Sequence, residues 1–213
     1  MVSINGSKAS NSFPYNRNTA RCTVKQPVLF INACVRQESR TGRLAKKVLA
    51  KLDRPVEEVR LSEIDFPPVD AAFLKLRDRL IAEGNFDDPS FALARQFAQA
   101  ATVVIAAPYW DLSFPAALKQ YFEQINVVGV TFRYTADGRP VGLCKANKLI
   151  YVTTAGGTYV PEEFGYGYLE AMAKSFYGIP DVRLIKAVGL DIAGADVESI
   201  LRSAEESIGK SNL

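Results

Sequence analysis

Three short stretches of the chain combine residue types that could do chemistry. The first, Asn32-Ala33-Cys34-Val35-Arg36-Gln37-Glu38-Ser39-Arg40-Thr41, brings hydroxyls, guanidinium groups and a thiol just ahead of a helical apolar stripe at Leu44, Ala45, Val48, Leu49 and Leu52. A loop that joins a strand to a helix N-terminus presents free backbone N–H groups and the positive end of the helix dipole, a seat suited to a phosphate. Ser39 and Thr41 can donate hydroxyl hydrogen bonds there, and Arg36 or Arg40 can offer a guanidinium fork. Taken alone, the stretch is explained equally well by Ser39 capping the helix while the arginines are solvated. The second stretch, Pro108-Tyr109-Trp110-Asp111-Leu112, stops a β-branched run at an aromatic loop. The third, Thr154-Ala155-Gly156-Gly157 with Tyr159 close behind, sets two adjacent glycines at a strand end, where they permit φ > 0 and close approach to a flat ring, or form a plain turn.

Composition narrows what these stretches could do. The chain has no histidine, which excludes Ser-His-Asp and Cys-His nucleophilic chemistry and makes His-ligated zinc a poor reading. Cys22, Cys34 and Cys144 form an odd set without metal-type spacing, so a disulfide scaffold is not expected and a reducing cytoplasm is the expected setting. The formal charge of +3 arises from residues 1–26, where Lys8, Arg17, Arg21 and Lys25 meet no acid, leaving 22 basic against 23 acidic residues downstream. That balance offers no clustered cationic surface for nucleic acid, and no apolar run approaches the ~20 residues needed to span a bilayer. Residues 1–26 are rich in Ser and Asn, lack a secretory apolar segment and read as a flexible extension; residues 27–213 read as one α/β domain.

The elements that must position the three stretches alternate strand and helix. Pro27-Val28-Leu29-Phe30-Ile31 is the first strand and residues 56–61 the second. A rim excursion over residues 62–88 contains a short helix from Asp70 to Glu83 closed by Gly84, and Phe91, Ala94, Phe97 and Ala98 mark the next helix. Thr102-Val103-Val104-Ile105-Ala106-Ala107 is a strand buried on both faces, followed by Ser113 as N-cap, Pro115 in the first turn and a helix stripe at Phe114, Leu118, Tyr121, Phe122 and Ile125. Residues 129–143 read as a small hairpin turning at Asp137-Gly138. Lys148 to Thr154 is the fourth strand, Pro161 opens a helix with Phe164, Tyr168, Leu169, Met172 and Phe176 on one face, and residues 182–188 are the fifth strand before a final helix. Strand-then-helix order calls for an open parallel sheet, which binds ligands beyond the strands' carboxyl ends.

Pro108-Tyr109-Trp110-Asp111, the helix Ala116-Ala117-Leu118-Lys119-Gln120-Tyr121-Phe122 and the run Gly129-Val130-Thr131-Phe132-Arg133-Tyr134 together resemble the flavodoxin-like NAD(P)H:quinone reductases, especially the FMN-dependent NADH-azoreductase branch. The resemblance implies a flavodoxin-like three-layer sandwich with a five-stranded parallel sheet of order 2-1-3-4-5 and the hairpin inserted. It implies FMN as cofactor, its phosphate held by Arg36, Ser39, Arg40 and Thr41, and its ring system held by Pro108, Tyr109, Trp110, Asp111, Leu112, Thr154, Ala155, Gly156 and Gly157. The family often has serine where this chain has Ala33-Cys34, and Arg36 stands in for that contact. NADH or NADPH would deliver hydride and then make way for a quinone, azo or nitro acceptor in ping-pong fashion, with Tyr109, Tyr159 or water supplying protons. A homodimer with contacts near residues 121–132 is implied as well.

Two other readings compete. Cys34-Val35-Arg36-Gln37-Glu38-Ser39-Arg40-Thr41 satisfies Cys-X5-Arg-Ser/Thr and resembles the phosphate loop of low-molecular-weight protein tyrosine phosphatases, in which a Cys34 thiolate would attack phosphorus while Arg40 gripped the equatorial oxygens. Against it, Asn32-Ala33 separate the cysteine from its strand, and no glycine occurs until Gly42. A flavodoxin-type electron carrier would be more acidic than this chain and would lack the hairpin. FMN is preferred to FAD because one phosphate seat is visible and the Gly-X-Gly-X-X-Gly fingerprint is absent.

Overall fold

Five strands, the central ones unbroken apolar runs, pair side by side and in parallel, and the helices between them cover both sheet faces. In the computed structural model, which describes residues 25–213, the chain runs β1 (Val28–Asn32), α1 (Arg40–Leu52), β2 (Val56–Arg60), α2 (Ala71–Ala82), α3 (Ala92–Gln99), β3 (Thr102–Ala106), α4 (Ala116–Ile125), the hairpin β4 (Phe132–Tyr134) and β5 (Pro140–Gly142), β6 (Lys148–Thr154), α5 (Tyr166–Ala171), β7 (Asp181–Ala187) and α6 (Val197–Lys210). The sheet order is β2-β1-β3-β6-β7, all parallel, which is the 2-1-3-4-5 order of the resemblance; β4 and β5 pair antiparallel apart from it. The extension expected over residues 1–26 falls, apart from Lys25 and Gln26, outside the described residues.

Period-2 alternation along each strand divides the core. Leu29, Ile31, Val103, Ile105, Leu149 and Tyr151 face α3, α4 and the π-helical turn Met172–Tyr177, against Phe97, Tyr121, Phe122 and Tyr177. Val28, Phe30, Val104, Ala106, Ile150 and Val152 face α1 and α6, against Leu44, Val48, Leu201 and Ile208. β2 buries only Val59, and its exposed Glu57, Glu58 and Arg60 guard the sheet edge against further strand pairing. The hairpin is locked to the π-helical turn at Gly142, where a Cβ would stand 2.1 Å from the Tyr177 carbonyl carbon.

Two helix starts differ from expectation. α4 begins at Ala116 after an extended Pro115, so Ser113 does not cap it. The helix placed after Pro161 starts at Tyr166, leaving Phe164 exposed, while Tyr168, Leu169, Met172 and Phe176 pack on the core as expected.

Candidate functional site

Parallel pairing continues past the strand ends, so the three stretches leave the sheet from one edge. The Ala33 N–H bonds the Ala106 carbonyl at 2.8 Å, the Ala107 N–H the Val152 carbonyl at 3.1 Å, and the Tyr109 N–H the Thr154 carbonyl at 2.9 Å.

In the first stretch Ser39 is the N-cap of α1, its Oγ accepting from the Gly42 N–H at 3.1 Å. The hydroxyls of buried Thr41 and Thr154 meet at 2.6 Å and pin the helix start to the end of β6. Both hydroxyls expected at a phosphate therefore already have protein partners. What remains unpaired is the backbone of the helix start, where the N–H groups of Arg40 and Thr41 find no acceptor among the described residues, and Arg36 in the loop before it is exposed. Arg40 turns aside, its Nη1 donating to Asp191 Oδ1 at 2.7 Å and to the Leu190 carbonyl at 3.3 Å.

The second stretch is a tight turn. Trp110 and Ser113 exchange N–H···O bonds of 3.1 and 2.8 Å, and both central residues, Asp111 (φ 50°) and Leu112 (φ 66°), are left-handed, the signature of a type I′ turn. A non-glycine residue pays about 1–2 kcal/mol for that conformation. The turn folds the chain back at the end of β3, leaving Trp110 40% and Leu112 46% exposed. Pro108 is half-buried at its base. Tyr109 is also half-buried, with its hydroxyl donating to the Pro161 carbonyl at 3.5 Å, and desolvation raises its phenol, with Tyr159 and Glu163 adding to the effect. Tyr109 is thus a neutral proton-bearing group at physiological pH. Tyr159 is 78% exposed.

In the third stretch Thr154 and Ala155 are buried, but neither Gly156 nor Gly157 has positive φ. Gly156 is required by crowding instead, since a Cβ there would stand 2.2 Å from Asp191 Oδ2. Gly157 has no neighbour within 4 Å of that direction and presents an open backbone face. The loop after β7 supports both glycines: the Asp191 N–H bonds the Gly156 carbonyl and the Gly189 N–H the Gly157 carbonyl, each at 2.9 Å. Asp191 was not legible as a site residue; its sequence signal was only Gly189-Leu190-Asp191 at the carboxyl end of a fifth strand.

The geometry does not prepare Cys34 for attack on phosphorus. Burial raises its thiol, with hydrogen bonding from Ser39 and Gly42 opposing and Glu58 reinforcing the rise, and Sγ lies 3.8 Å from the Ala106 carbonyl. Arg40, its would-be partner, is held by Asp191. A cavity of about 690 Å³ lies elsewhere, between β7 and α6 beside Ile185, Ile200 and Ser203; its cations Arg183 and Lys186 are already paired with Asp181 and Glu162. No group of His, Cys, Asp and Glu among the described residues could hold a metal ion, and none of their helices is long and apolar enough to cross a membrane.

The parallel order and the helices on both sheet faces define a doubly wound α/β protein, and a family model described as a flavodoxin-like fold matches residues 26–211. The chain belongs to that family. Among its relatives, the FMN-dependent NADH:quinone oxidoreductase of Lachnoclostridium phytofermentans is 35% identical over 192 residues, covering 85% of this chain and 96% of the relative. A protein of the same name from Clostridium perfringens is 36% identical over 192 residues, covering 86% and 94%. An azoreductase structure from Bacillus anthracis superposes with a TM-score of 0.75 at 25% identity, covering 87% of this chain and 97% of that one. An FMN-dependent NADH-azoreductase from the same organism, solved in complex with FMN, gives 0.71 at 24% identity, covering 86% and 98%, a likeness of fold.

Proposed function

We propose that this protein is an FMN-dependent NAD(P)H oxidoreductase that passes two electrons to small quinone, azo or nitro compounds. The observation that carries the reading is the convergence, on one sheet edge, of an acceptor-free helix start, a left-handed aromatic turn and an open glycine backbone. These features fit FMN, whose phosphate suits the N–H groups of Arg40 and Thr41 with Arg36 in the loop before them, and whose flat ring suits the loops that carry Trp110, Leu112 and the open backbone of Gly157. When bound, FMN supplies the redox chemistry, taking hydride from NADH, the donor in the relatives' names, or from NADPH and releasing it to the acceptor.

The protein's own residues bind, orient and shield. Ser39 and the Thr41–Thr154 contact hold the helix start rigid against β6. Pro108, Asp111 and Ala155 fix the paths of the two ring loops, while Trp110 and Leu112 keep water from one side of the ring. Tyr109 keeps its proton and offers it beside the ring, and Tyr159 offers a second phenol from the exposed rim.

The exposed apolar side chains of Trp110, Leu112 and Phe164 favour completion of the site by a second copy of the chain. Tyr121 and Phe122, within the contact region expected near residues 121–132, are buried in the chain's own core and cannot supply that interface; Val128 and Gly129 are exposed there. Light scattering should then report about twice the 23.4 kDa chain mass. A cytoplasmic setting accords with two free thiols, Cys34 and Cys144, among the described residues. Steady-state kinetics test the activity itself: with NADH and a small quinone varied together, parallel double-reciprocal lines support hydride transfer in two half-reactions. No quinone-dependent NADH oxidation from FMN-loaded protein refutes it.

A further inference from the structure

Asp191 places a carboxylate beside an anion seat, where it would work against the ligand. Its backbone N–H bonds the Gly156 carbonyl, and its side chain leans over Gly156 so closely that a Cβ there would stand 2.2 Å from Oδ2 and 2.9 Å from Cγ. The other carboxylate oxygen holds Arg40 Nη1 at 2.7 Å, and the Leu190 carbonyl takes the same nitrogen at 3.3 Å. Arg40 is the first residue of α1, so its guanidinium belongs to the helix start that would receive a phosphate. The two side chains are 40% and 69% exposed, so the pair adds little to stability. Its consequence lies in the charge presented to a ligand.

We propose that Asp191 is a specificity-determining residue of the cofactor site: by holding the Arg40 guanidinium against the Gly156 loop it withdraws that cation from the phosphate seat, and so sets how strongly the site prefers a phosphorylated flavin to riboflavin. The proposal rests on the FMN reading. While Arg40 is paired, the two side chains present no net charge, and a phosphate is met by helix N–H groups and Arg36. Removing the carboxylate ends its repulsion of the phosphate and frees a guanidinium fork able to bind phosphate bidentately. Riboflavin has no phosphate and is indifferent to both changes.

The test is a pair of dissociation constants, for FMN and for riboflavin, measured by flavin fluorescence quenching on the full chain stripped of flavin. Asp191→Asn, nearly isosteric and at an exposed position, should tighten FMN by about threefold to tenfold, the effect of one partly screened charge. It should leave riboflavin unchanged, and the gain should shrink at high salt. Arg40→Gln should cost little in the native background yet cancel the gain in Asp191→Asn. Weaker FMN binding in Asp191→Asn, or an equal shift for both flavins, would overturn the proposal and leave Asp191 as a prop for the glycine loop. A native protein that binds neither flavin overturns the cofactor reading and this proposal with it, whereas normal flavin binding with an unmoved ratio overturns this proposal alone.

Discussion

Thr41 and Thr154 lie 113 residues apart in the chain, and their hydroxyls meet at 2.6 Å in the buried floor of the site. Neither hydroxyl has another protein partner among the described residues. Thr41→Val keeps the side-chain shape but strands the Thr154 hydroxyl, buried at 8% exposure, with an unmet hydrogen bond. The lost bond and the stranded partner together should cost about 1–2 kcal/mol, partly offset by the added methyl, and Thr154→Val should cost a similar amount for the same reason. The double variant strands nothing and should lose less than about 1 kcal/mol, so the two changes should couple by at least about 1 kcal/mol. Urea denaturation of the four proteins measures the coupling; in thermal melts each single change should lower Tm by about 2–4 °C per kcal/mol for a chain of this size. FMN affinity should fall in the single variants, because the helix start loses its anchor to β6. Additive losses would refute the reasoning, since they would mean that the two hydroxyls do not satisfy one another.

Three further outcomes follow from the same geometry. Gly157→Ala, with open space around it, should leave Tm unchanged yet weaken FMN binding by narrowing the approach to the open backbone; a lowered Tm in thermal melts, or an unchanged FMN affinity, would refute that reading. Arg43, joining α1 to α6, holds the Glu205 carboxyl below its ordinary value of 4.5, so its contribution is present at neutral pH and is lost as pH falls below 4.5 through the lowered value. Glu205→Gln should therefore cost less than about 1 kcal/mol at neutral pH, and a urea-melt difference from the native protein that widened in acid would contradict this sign. Cys34→Ser should retain flavin and NADH oxidation, and aryl phosphate hydrolysis that vanished in this variant would revive the phosphatase reading.

The strands were legible because buried strands leave unbroken runs such as Thr102-Val103-Val104-Ile105-Ala106, and their alternation with helices is what a parallel sheet requires. The three loops were legible as stretches because each follows a strand at the end where a parallel sheet binds ligands. Their internal geometry was not. Asp111-Leu112 lacks the Asn-Gly signature of a type I′ turn, so local propensity hid a conformation that the surroundings impose, and Ser113 looked like a cap although it closes that turn. Gly156 was credited with conformational freedom when its need is crowding by Asp191, a residue on another element. Arg40 and Thr41 looked open to ligand because sequence spacing cannot show partners as distant as Asp191 and Thr154.

The central claim, that these three loops form a working flavin site, is tested most directly by the visible absorption spectrum of the full chain after excess FMN is added and free flavin removed. Retained flavin peaks that bleach on anaerobic addition of NADH or NADPH, and return on addition of a quinone, are the predicted result. A colourless protein, or bound flavin that neither donor reduces, would contradict the account.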